Sequence, residues 1–377
     1  MNDQQRQQSE STGRPGSFLC SEEHVPQRAR FPVIDAHNHL WANWEGVDAV
    51  VRVMDAVGVV AYCDLTANLE LAWVEGGYAF EVRPFDDFLK HAVQRYPGRF
   101  YGFTMARFAH PVGKPLFTDH RRFVAECIEM LQQHVVQGAR GLKLLKELGL
   151  HYVDGEGRLI TADDPRLAPI WAECARMQIP VLIHQADPYG FFQPVQPENE
   201  HYSTLLKYPS WSFCDARYPS FETLQHHYRN LVRRNPDTTF LLPHMANWPE
   251  KLTYVGDWLD ECPNAYCDFS ARIDELGRQP YSARDFLIRY QDRIYFGTDM
   301  PASEAMYRCY FRFLETYDED FIPPDYDGTF GRHRWRIHGL GLPDEVLRKL
   351  YHENALKLVP GLARDVGDRI KTTKQEK

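Results

Sequence analysis

Four short apolar segments of this chain each end in side chains that can bind a metal ion. The residues that follow these segments are His37 with His39, His184, His244 and Asp299. Short apolar runs bounded by polar residues are typical of buried strands. The carboxyl ends of parallel strands can meet at one mouth, so residues far apart in sequence can become neighbours. The pattern therefore favours a fold that gathers several strand ends.

The pair His37 and His39 is the most specific part of this pattern. Side chains alternate along a strand, so two imidazoles separated by one residue leave on the same face. Imidazole is the commonest metal ligand, and such a pair would form half of a metal site. Two histidines where a strand meets a loop can also be ordinary polar residues. The later segments of the same build favour the metal interpretation.

Strand-like runs alternate with amphipathic helical stretches after residue 30. Strands are predicted near 32–36, 58–63, 99–104, 139–144, 180–183, 239–242, 265–269 and 294–297. Helices are predicted near 46–56, 83–95, 119–135, 165–177, 221–234, 249–261 and 281–289. This alternation predicts parallel strands with right-handed crossovers. The simplest fold for eight such strands is a (β/α)8 TIM barrel, which is an α/β fold. An open doubly wound sheet is the alternative, but it gathers its site at one switch point.

The chain divides into three parts by composition. Residues 1–30 are polar and predict a disordered or tethered arm, 31–361 predict the barrel domain, and 362–377 predict a flexible tail. Two long connections, 185–220 after the fifth strand and 301–340 after the eighth, are rich in aromatic residues. Each predicts either a lid or subunit contact, or a satellite core beneath a long loop. Helices at the C-terminal end of the domain are expected to close the barrel.

Charge and cysteine usage exclude several classes of function. The formal net charge of −9 is spread over both signs without a basic block, which argues against a nucleic-acid partner. No run approaches the roughly 18 apolar residues that span a membrane. The eight cysteines form no Cys-x-x-Cys pair, which favours reduced thiols. Without a secretory leader in the polar arm, we expect a cytoplasmic protein.

Four of the candidate side chains suit a single divalent ion. His37, His39, His184 and Asp299 would supply three imidazoles and one carboxylate. This donor set predicts zinc, with manganese or iron as alternatives. Such an ion lowers the pKa of bound water from about 15.7 toward ~7, which provides a nucleophile at neutral pH.

The same segments resemble a known family. IDAHNHLW, IPVLIHQADP, FLLPHMANWPE and IYFGTDMP resemble the amidohydrolase superfamily, specifically the metal-dependent TIM-barrel hydrolases of the amidohydrolase-related type. The resemblance extends from about Phe31 to Gly361. It implies that the first-strand histidines, His184 and Asp299 bind metal and that His244 assists catalysis.

Charge development suggests roles for these residues. Asp299 would be both a metal ligand and a proton carrier, and His244 would steady an oxyanion. His244 could instead be a core histidine bonded to a backbone carbonyl, and Asp299 a loop cap. Lys143, at the end of the fourth strand, is interpreted first as a cation that faces the substrate. Its alternatives are a carbamylated ligand that bridges two metals, as in some superfamily members, and a rim ion pair.

Further candidates lie at strand ends. Arg272 is the first choice for binding a substrate carboxylate, because a guanidinium holds a carboxylate bidentately. A salt bridge at the rim would explain the same arginine. Asp35 shares a face with His37 and could orient a ligand. Asp64, Arg107 and Asp268 are weaker candidates of the same kind.

Three functions remain open from the sequence. The first is hydrolysis of an amide, lactone or ester bond in a small, carboxylated substrate. The second is nonoxidative decarboxylation of an aromatic or unsaturated acid on the same metal site. The third is a barrel without catalysis whose aromatic loops form an interface. The expected partners are a small-molecule substrate and, from the aromatic loops, a second copy in a homodimer.

Overall fold

The computed structural model describes residues 18–19, 22–41, 46–74, 77–324 and 335–375. This part of the chain contains ten strands, and eight of them pair in parallel with their neighbours. In chain order the strands are β1 (Val33–Asn38), β2 (Val59–Asp64), β3 (Leu69–Val74), β4 (Gly77–Val82), β5 (Phe100–Gly102), β6 (Leu142–Leu144), β7 (Val181–Ile183), β8 (Phe240–Leu242), β9 (Ala265–Asp268) and β10 (Ile294–Tyr295).

The parallel strands form two sheets that are joined at both edges. One sheet has the order β1, β2, β5, and the other runs from β6 to β10 in chain order. At one seam the amide of Lys143 donates to the carbonyl of Thr104 at 2.8 Å, and at the other the amide of Ala36 donates to the carbonyl of Phe296 at 3.0 Å. The strands therefore follow one another round a ring. The predicted TIM-barrel fold is confirmed.

Helices connect the strands on the outside of this ring. Their bounds are α1 (Val47–Val57), α2 (Phe85–Phe88), α3 (His120–Gln137), α4 (Ala168–Arg176), α5 (Tyr202–Lys207), α6 (Phe221–Arg234), α7 (Leu252–Glu261), α8 (Ile273–Gly277), α9 (Pro280–Arg289), α10 (Glu304–Glu315), α11 (Asp344–Arg348), α12 (Asn354–Leu358) and α13 (Leu362–Gln375). Helix α1 ends at Gly58, whose φ of +91° closes the helix in the left-handed region. The predicted strands and helices agree with these bounds to within a few residues. The antiparallel hairpin of β3 and β4 was not predicted.

Both chain ends include residues that pack on the barrel. Residues 22–30 are tethered, because Ala29 is buried and His24 Nδ1 lies 2.7 Å from Asp318 Oδ1. The predicted flexible tail is a helix, α13, which buries Leu362 and Val366 in the cluster that fills the barrel interior. Residues 1–17, 20–21 and 376–377 lie outside the described part of the chain.

The long connection 185–220 forms a small core of its own. Phe191, Phe192 and Phe213 are buried and pack with Leu205 of α5 and Phe221 of α6. This is the satellite core that the sequence left as one of two alternatives. In the second connection α10 packs against the main core, whereas residues 325–334 lie outside the described residues. Among the described residues, no helix is both long and apolar enough to cross a bilayer.

Candidate metal centre

The first and last barrel strands meet at the residues predicted to bind metal. The amide of Asp299 donates to the carbonyl of His37 at 2.8 Å, so the ends of β1 and β10 are hydrogen-bonded together. Gly297 makes this approach feasible, because a Cβ built there would lie 2.5 Å from the Cβ of His37. Asp299 itself has a φ of +50°, a left-handed conformation that is strained for an aspartate.

Asp299 lies among three imidazoles. Its Oδ1 is 3.4 Å from His39 Nε2, and its Oδ2 is 3.7 Å from His37 Nε2 and 3.5 Å from His244 Nε2. His37, His39 and Asp299 each offer a ligand atom within 4.8 Å of the other two. The structure thus brings together His37, His39, His244 and Asp299.

The other ring nitrogen of each imidazole has a hydrogen-bonding partner. His37 Nδ1 is 2.7 Å from Asp268 Oδ2, and His244 Nδ1 is 2.7 Å from the carbonyl oxygen of Ser270. Both partners can only accept, so each Nδ1 carries a proton, and in the neutral ring the lone pair is then on Nε2. Holding histidine Nδ1 in this way is the usual arrangement behind a metal ligand.

His39 is oriented through a hydroxyl group. Its Nδ1 lies 2.8 Å from the Oγ1 of Thr66, and that hydroxyl donates to Asp64 Oδ1 at 3.3 Å. Because the hydroxyl proton is used on the carboxylate, Thr66 accepts from His39, and Nε2 again keeps its lone pair. Three Nε2 lone pairs therefore face the Asp299 carboxylate.

His244 sits on an unusual turn after β8. The residues from His244 to Asn247 have φ values between +53° and +62°, so four consecutive non-glycine residues are left-handed. The amide of His244 donates to Asp268 Oδ1 at 3.0 Å, which anchors the start of this turn. Left-handed residues of this kind cost free energy and concentrate at functional sites.

Burial favours the neutral form of two of these imidazoles, His39 and His244. It lowers the pKa of His39 well below its ordinary value, and the charge of Lys143 lowers it further. It also lowers the pKa of His244, and there the second cause is the charge of Arg272. A neutral imidazole is the form that binds metal.

His184 lies beside this group but is not part of the three-residue ligand set. Its ring contacts that of His244 at a centroid distance of 4.7 Å, while its Nε2 lies 3.1 Å from the carbonyl oxygen of Ala186. A carbonyl only accepts, so Nε2 is protonated and Nδ1 is the basic nitrogen. The role of His184 as a metal ligand stays a prediction.

Two buried cations flank the centre. Lys143 on β6 is fully buried, and burial lowers its pKa to about 8 against the raising effect of the Asp299 and Asp268 carboxylates. Arg272 is 3% exposed, its Nε has no partner, and its Nη1 donates to the carbonyl of Ala271 at 2.7 Å. Within the described residues neither cation has an ion pair, so the rim salt bridges considered for them are not seen.

The remaining strand-end candidates have other roles. Asp35 accepts hydrogen bonds from Thr298 Oγ1 at 2.6 Å and Tyr307 at 2.7 Å, so it ties β1 to the segment before Asp299 and does not touch an imidazole. Arg107 is exposed and pairs with Glu126. Ser270, whose hydroxyl bridges His37 and His244, was missed.

The residues present fit a divalent ion. His37 Nε2, His244 Nε2 and Asp299 Oδ1 are all buried and accept no hydrogen bond. Unsatisfied buried acceptors are costly unless something compensates them. Imidazole and carboxylate donors at this spacing match the ligands of zinc and manganese.

Comparison with known protein families gives one match for this chain. The profile described as amidohydrolase matches residues 34–361. No curated protein sequence matched the chain.

Solved structures share the fold. A 2,6-dihydroxybenzoate decarboxylase from Rhizobium is 15% identical, covering 87% of this chain and 98% of its own, with a TM-score of 0.51. A dihydroxybenzoic acid decarboxylase from Polaromonas, solved with manganese and 2-nitroresorcinol, is 15% identical over 87% and 96%, with a TM-score of 0.50. A 4-oxalomesaconate hydratase from Rhodopseudomonas palustris is 13% identical over 90% and 99%, with a TM-score of 0.47. At these identities the two decarboxylases show the fold alone.

Proposed function

Because the chain belongs to the amidohydrolase family, we propose that it is a metal-dependent hydrolase of an amide, lactone or ester bond in a small, carboxylated substrate. The observation that carries this proposal is the placement of the Asp299 carboxylate 3.4–3.7 Å from three imidazole Nε2 atoms. We expect His37, His39 and Asp299 to hold one zinc ion, with His184 as a further ligand through Nδ1.

A divalent ion bound here would supply Lewis acidity, lowering the pKa of water and polarising a substrate carbonyl. The side chains around the ion have separate roles in the reaction. The unpartnered Oδ1 of Asp299 accepts the proton of the attacking water and passes it to the leaving atom. Neutral His244, held by Ser270 through Nδ1, presents the lone pair of Nε2, so it can accept a proton from the reacting groups, and only with that proton would it stabilise negative charge at the substrate.

Two cations without an ion pair among the described residues, Lys143 and Arg272, support a carboxylated substrate. A buried charge without a partner carries a desolvation cost that an anionic ligand offsets. Arg272 retains guanidinium donors for a planar carboxylate, and Lys143 offers a compact positive charge near Asp299. Each would contribute to binding in the ground state, and either could also stabilise charge that develops in the reaction.

Decarboxylation is the second candidate, and Lys143 is the observation that favours it. A decarboxylase needs a cation beside the carboxylate that it removes, and Lys143 is coupled electrostatically to both Asp299 and His39. Two of the fold relatives named above act on dihydroxybenzoates. In that reaction Asp299 would protonate the carbon that carbon dioxide leaves.

Metal content tests the centre before any substrate is known. Mass spectrometry of the dialysed protein should find about one equivalent of zinc, manganese or iron at this centre, and His37→Ala should lose it. His226→Ala, a change of an exposed histidine on α6, is the matched control and should keep it. A wild-type protein without such an ion after supplementation with all three metals contradicts the proposal.

Isotopes then separate the two reactions. A panel of lactones, amides, esters and hydroxylated aromatic acids is incubated with the metal-loaded enzyme in H2(18)O and separately in D2O. Hydrolysis places one solvent oxygen-18 in the product acid. Decarboxylation releases carbon dioxide and places one solvent deuterium on carbon. Turnover of carboxylated substrates that Arg272→Met leaves unchanged contradicts the role given to that arginine.

A further inference from the structure

A second group of metal-capable side chains lies outside the centre described above. It consists of Glu200, His201 and Glu250, which each offer a ligand atom within 4.8 Å of the other two. Glu200 and His201 precede α5 in the long connection 185–220, and Glu250 lies between β8 and α7. The group therefore joins two separate connections of the barrel.

Glu250 is the residue of this group that points to a ligand. Both of its carboxylate oxygens are buried and accept no hydrogen bond. Burial and the nearby Glu275 carboxylate raise its pKa to about 7. Arg272 lowers that pKa electrostatically, but no ion pair within 4.0 Å joins the two among the described residues. A buried carboxylate without a donor requires either a proton or a bound cation.

Glu200 is held in position to share such a cation. Its Oε2 accepts a hydrogen bond from Arg278 Nη1 at 2.8 Å, while its Oε1 lies 3.8 Å from His201 Nε2. This N-to-O spacing is close to the 3.4–3.7 Å found between Asp299 and the imidazoles of the metal centre. Arg278 Nη2 also donates to Oε1 at 3.3 Å, so the guanidinium holds both carboxylate oxygens in place beside the histidine.

We propose that Glu200, His201 and Glu250 bind a divalent cation, Zn²⁺ or Mn²⁺, that fastens the 185–220 connection to the segment after β8. Two carboxylates and an imidazole are donors that both ions accept. The cation compensates a cluster in which the carboxylates of Glu200, Glu250 and Glu275 outnumber the guanidinium groups of Arg272 and Arg278. The proposal does not depend on catalysis at the first centre.

The test removes the first centre and titrates the second. The variant H37A/H39A is stripped of metal and titrated with MnCl2, with free Mn²⁺ followed by electron paramagnetic resonance, and then with ZnCl2 in a competition experiment. About one equivalent should bind, and the melting temperature should rise with the metal. Adding Glu250→Gln should weaken binding at least tenfold and abolish the rise. Glu222→Gln, an exposed change on α6, is the control and should leave both unchanged.

Metal stoichiometry in the otherwise intact protein provides a second readout if H37A/H39A does not fold. Wild type should then hold two equivalents and Glu250→Gln one, with Lys143→Met still holding two. A folded H37A/H39A variant that binds neither Mn²⁺ nor Zn²⁺ overturns the second site, as does binding that Glu250→Gln leaves unchanged. Failure of the first centre looks different, since wild type would hold one equivalent that Glu250→Gln removes and His37→Ala does not.

Discussion

The Nδ1 atom of His37 donates a hydrogen bond to Oδ2 of Asp268 at a distance of 2.7 Å. This bond joins the first barrel strand to the seventh. Asp268 also accepts from the hydroxyl of Tyr295 at 3.0 Å and from the amide of His244 at 3.0 Å. One carboxylate therefore orients the imidazole of His37 and anchors the backbone of His244.

Replacing Asp268 should weaken metal binding although Asp268 is not itself a ligand. We expect Asp268→Asn to lower zinc affinity by about 10–100-fold, because His37 loses the anion that fixes its ring and raises its basicity. Competition with a chromophoric chelator measures this. Tyr295→Phe removes a different hydrogen bond to the same oxygen and should change the affinity much less. Equal losses in the two variants would mean that general damage to the core is the cause.

Replacing Asp299 should remove proton transfer. Asp299→Asn keeps the shape of the side chain but cannot carry a proton, so kcat should fall by about 10²–10⁴-fold on whichever substrate the panel identifies. Metal content must be measured on the same sample, so that lost catalysis is separated from lost metal. Glu304→Gln, an exposed change at the start of α10, should keep full activity. A metal-loaded Asp299→Asn enzyme with wild-type kcat would contradict the assignment.

Deprotonation of Lys143 should lower kcat/KM at alkaline pH. Burial lowers the pKa of its ammonium group to about 8, so the cation is present below that pH and is lost as the pH rises through it. We expect kcat/KM for a carboxylated substrate to fall above about pH 8, and a bound divalent ion would move this limb lower. Lys143→Arg should shift the limb upward, because arginine stays charged. If the alkaline fall in kcat/KM persists unchanged in Lys143→Met, another group is responsible for that fall.

The contact between Gly297 and His37 should be intolerant of even one methyl group. A Cβ at residue 297 would lie 2.5 Å from His37 Cβ, so Gly297→Ala should destabilise the fold by about 1–3 kcal/mol and displace the metal ligand. Thermal unfolding and metal content measure the two effects. Gly367→Ala on α13 is the matched control, because nothing lies within 4 Å of the added atom. It should be neutral or slightly stabilising.

Strand periodicity explains why much of the metal centre could be predicted. His37 lies in β1, His39 follows its last residue, and Asp299 follows β10, so local pattern and parallel pairing sufficed to bring them together. The partner of each Nδ1 could not be read in this way. Asp268 meets His37 only because β9 and β10 pair in the observed register, with Asp268 opposite Tyr295.

Other features needed information that short windows of sequence do not carry. The turn after β7 places His184 Nε2 against the Ala186 carbonyl, and no propensity distinguishes that orientation from one toward the metal. The left-handed residues after His244 contradict their own intrinsic preferences, so tertiary contacts decide their conformation. Helix α13 did have a readable signal, since Leu362, Val366 and Ile370 follow one another at four-residue spacing.

The hydrogen bonding between the ends of β1 and β10 determines when the metal centre can assemble during synthesis of the chain. The site is made where the first barrel strand meets the last, so its ligands are brought together by one of the longest-range closures in the chain. A ribosome must release nearly the whole domain before Asp299 can reach the two histidines that were synthesised at the beginning. We therefore expect the proposed metal ion to bind late, and a truncated chain that ends before β10 should emerge with an incomplete centre.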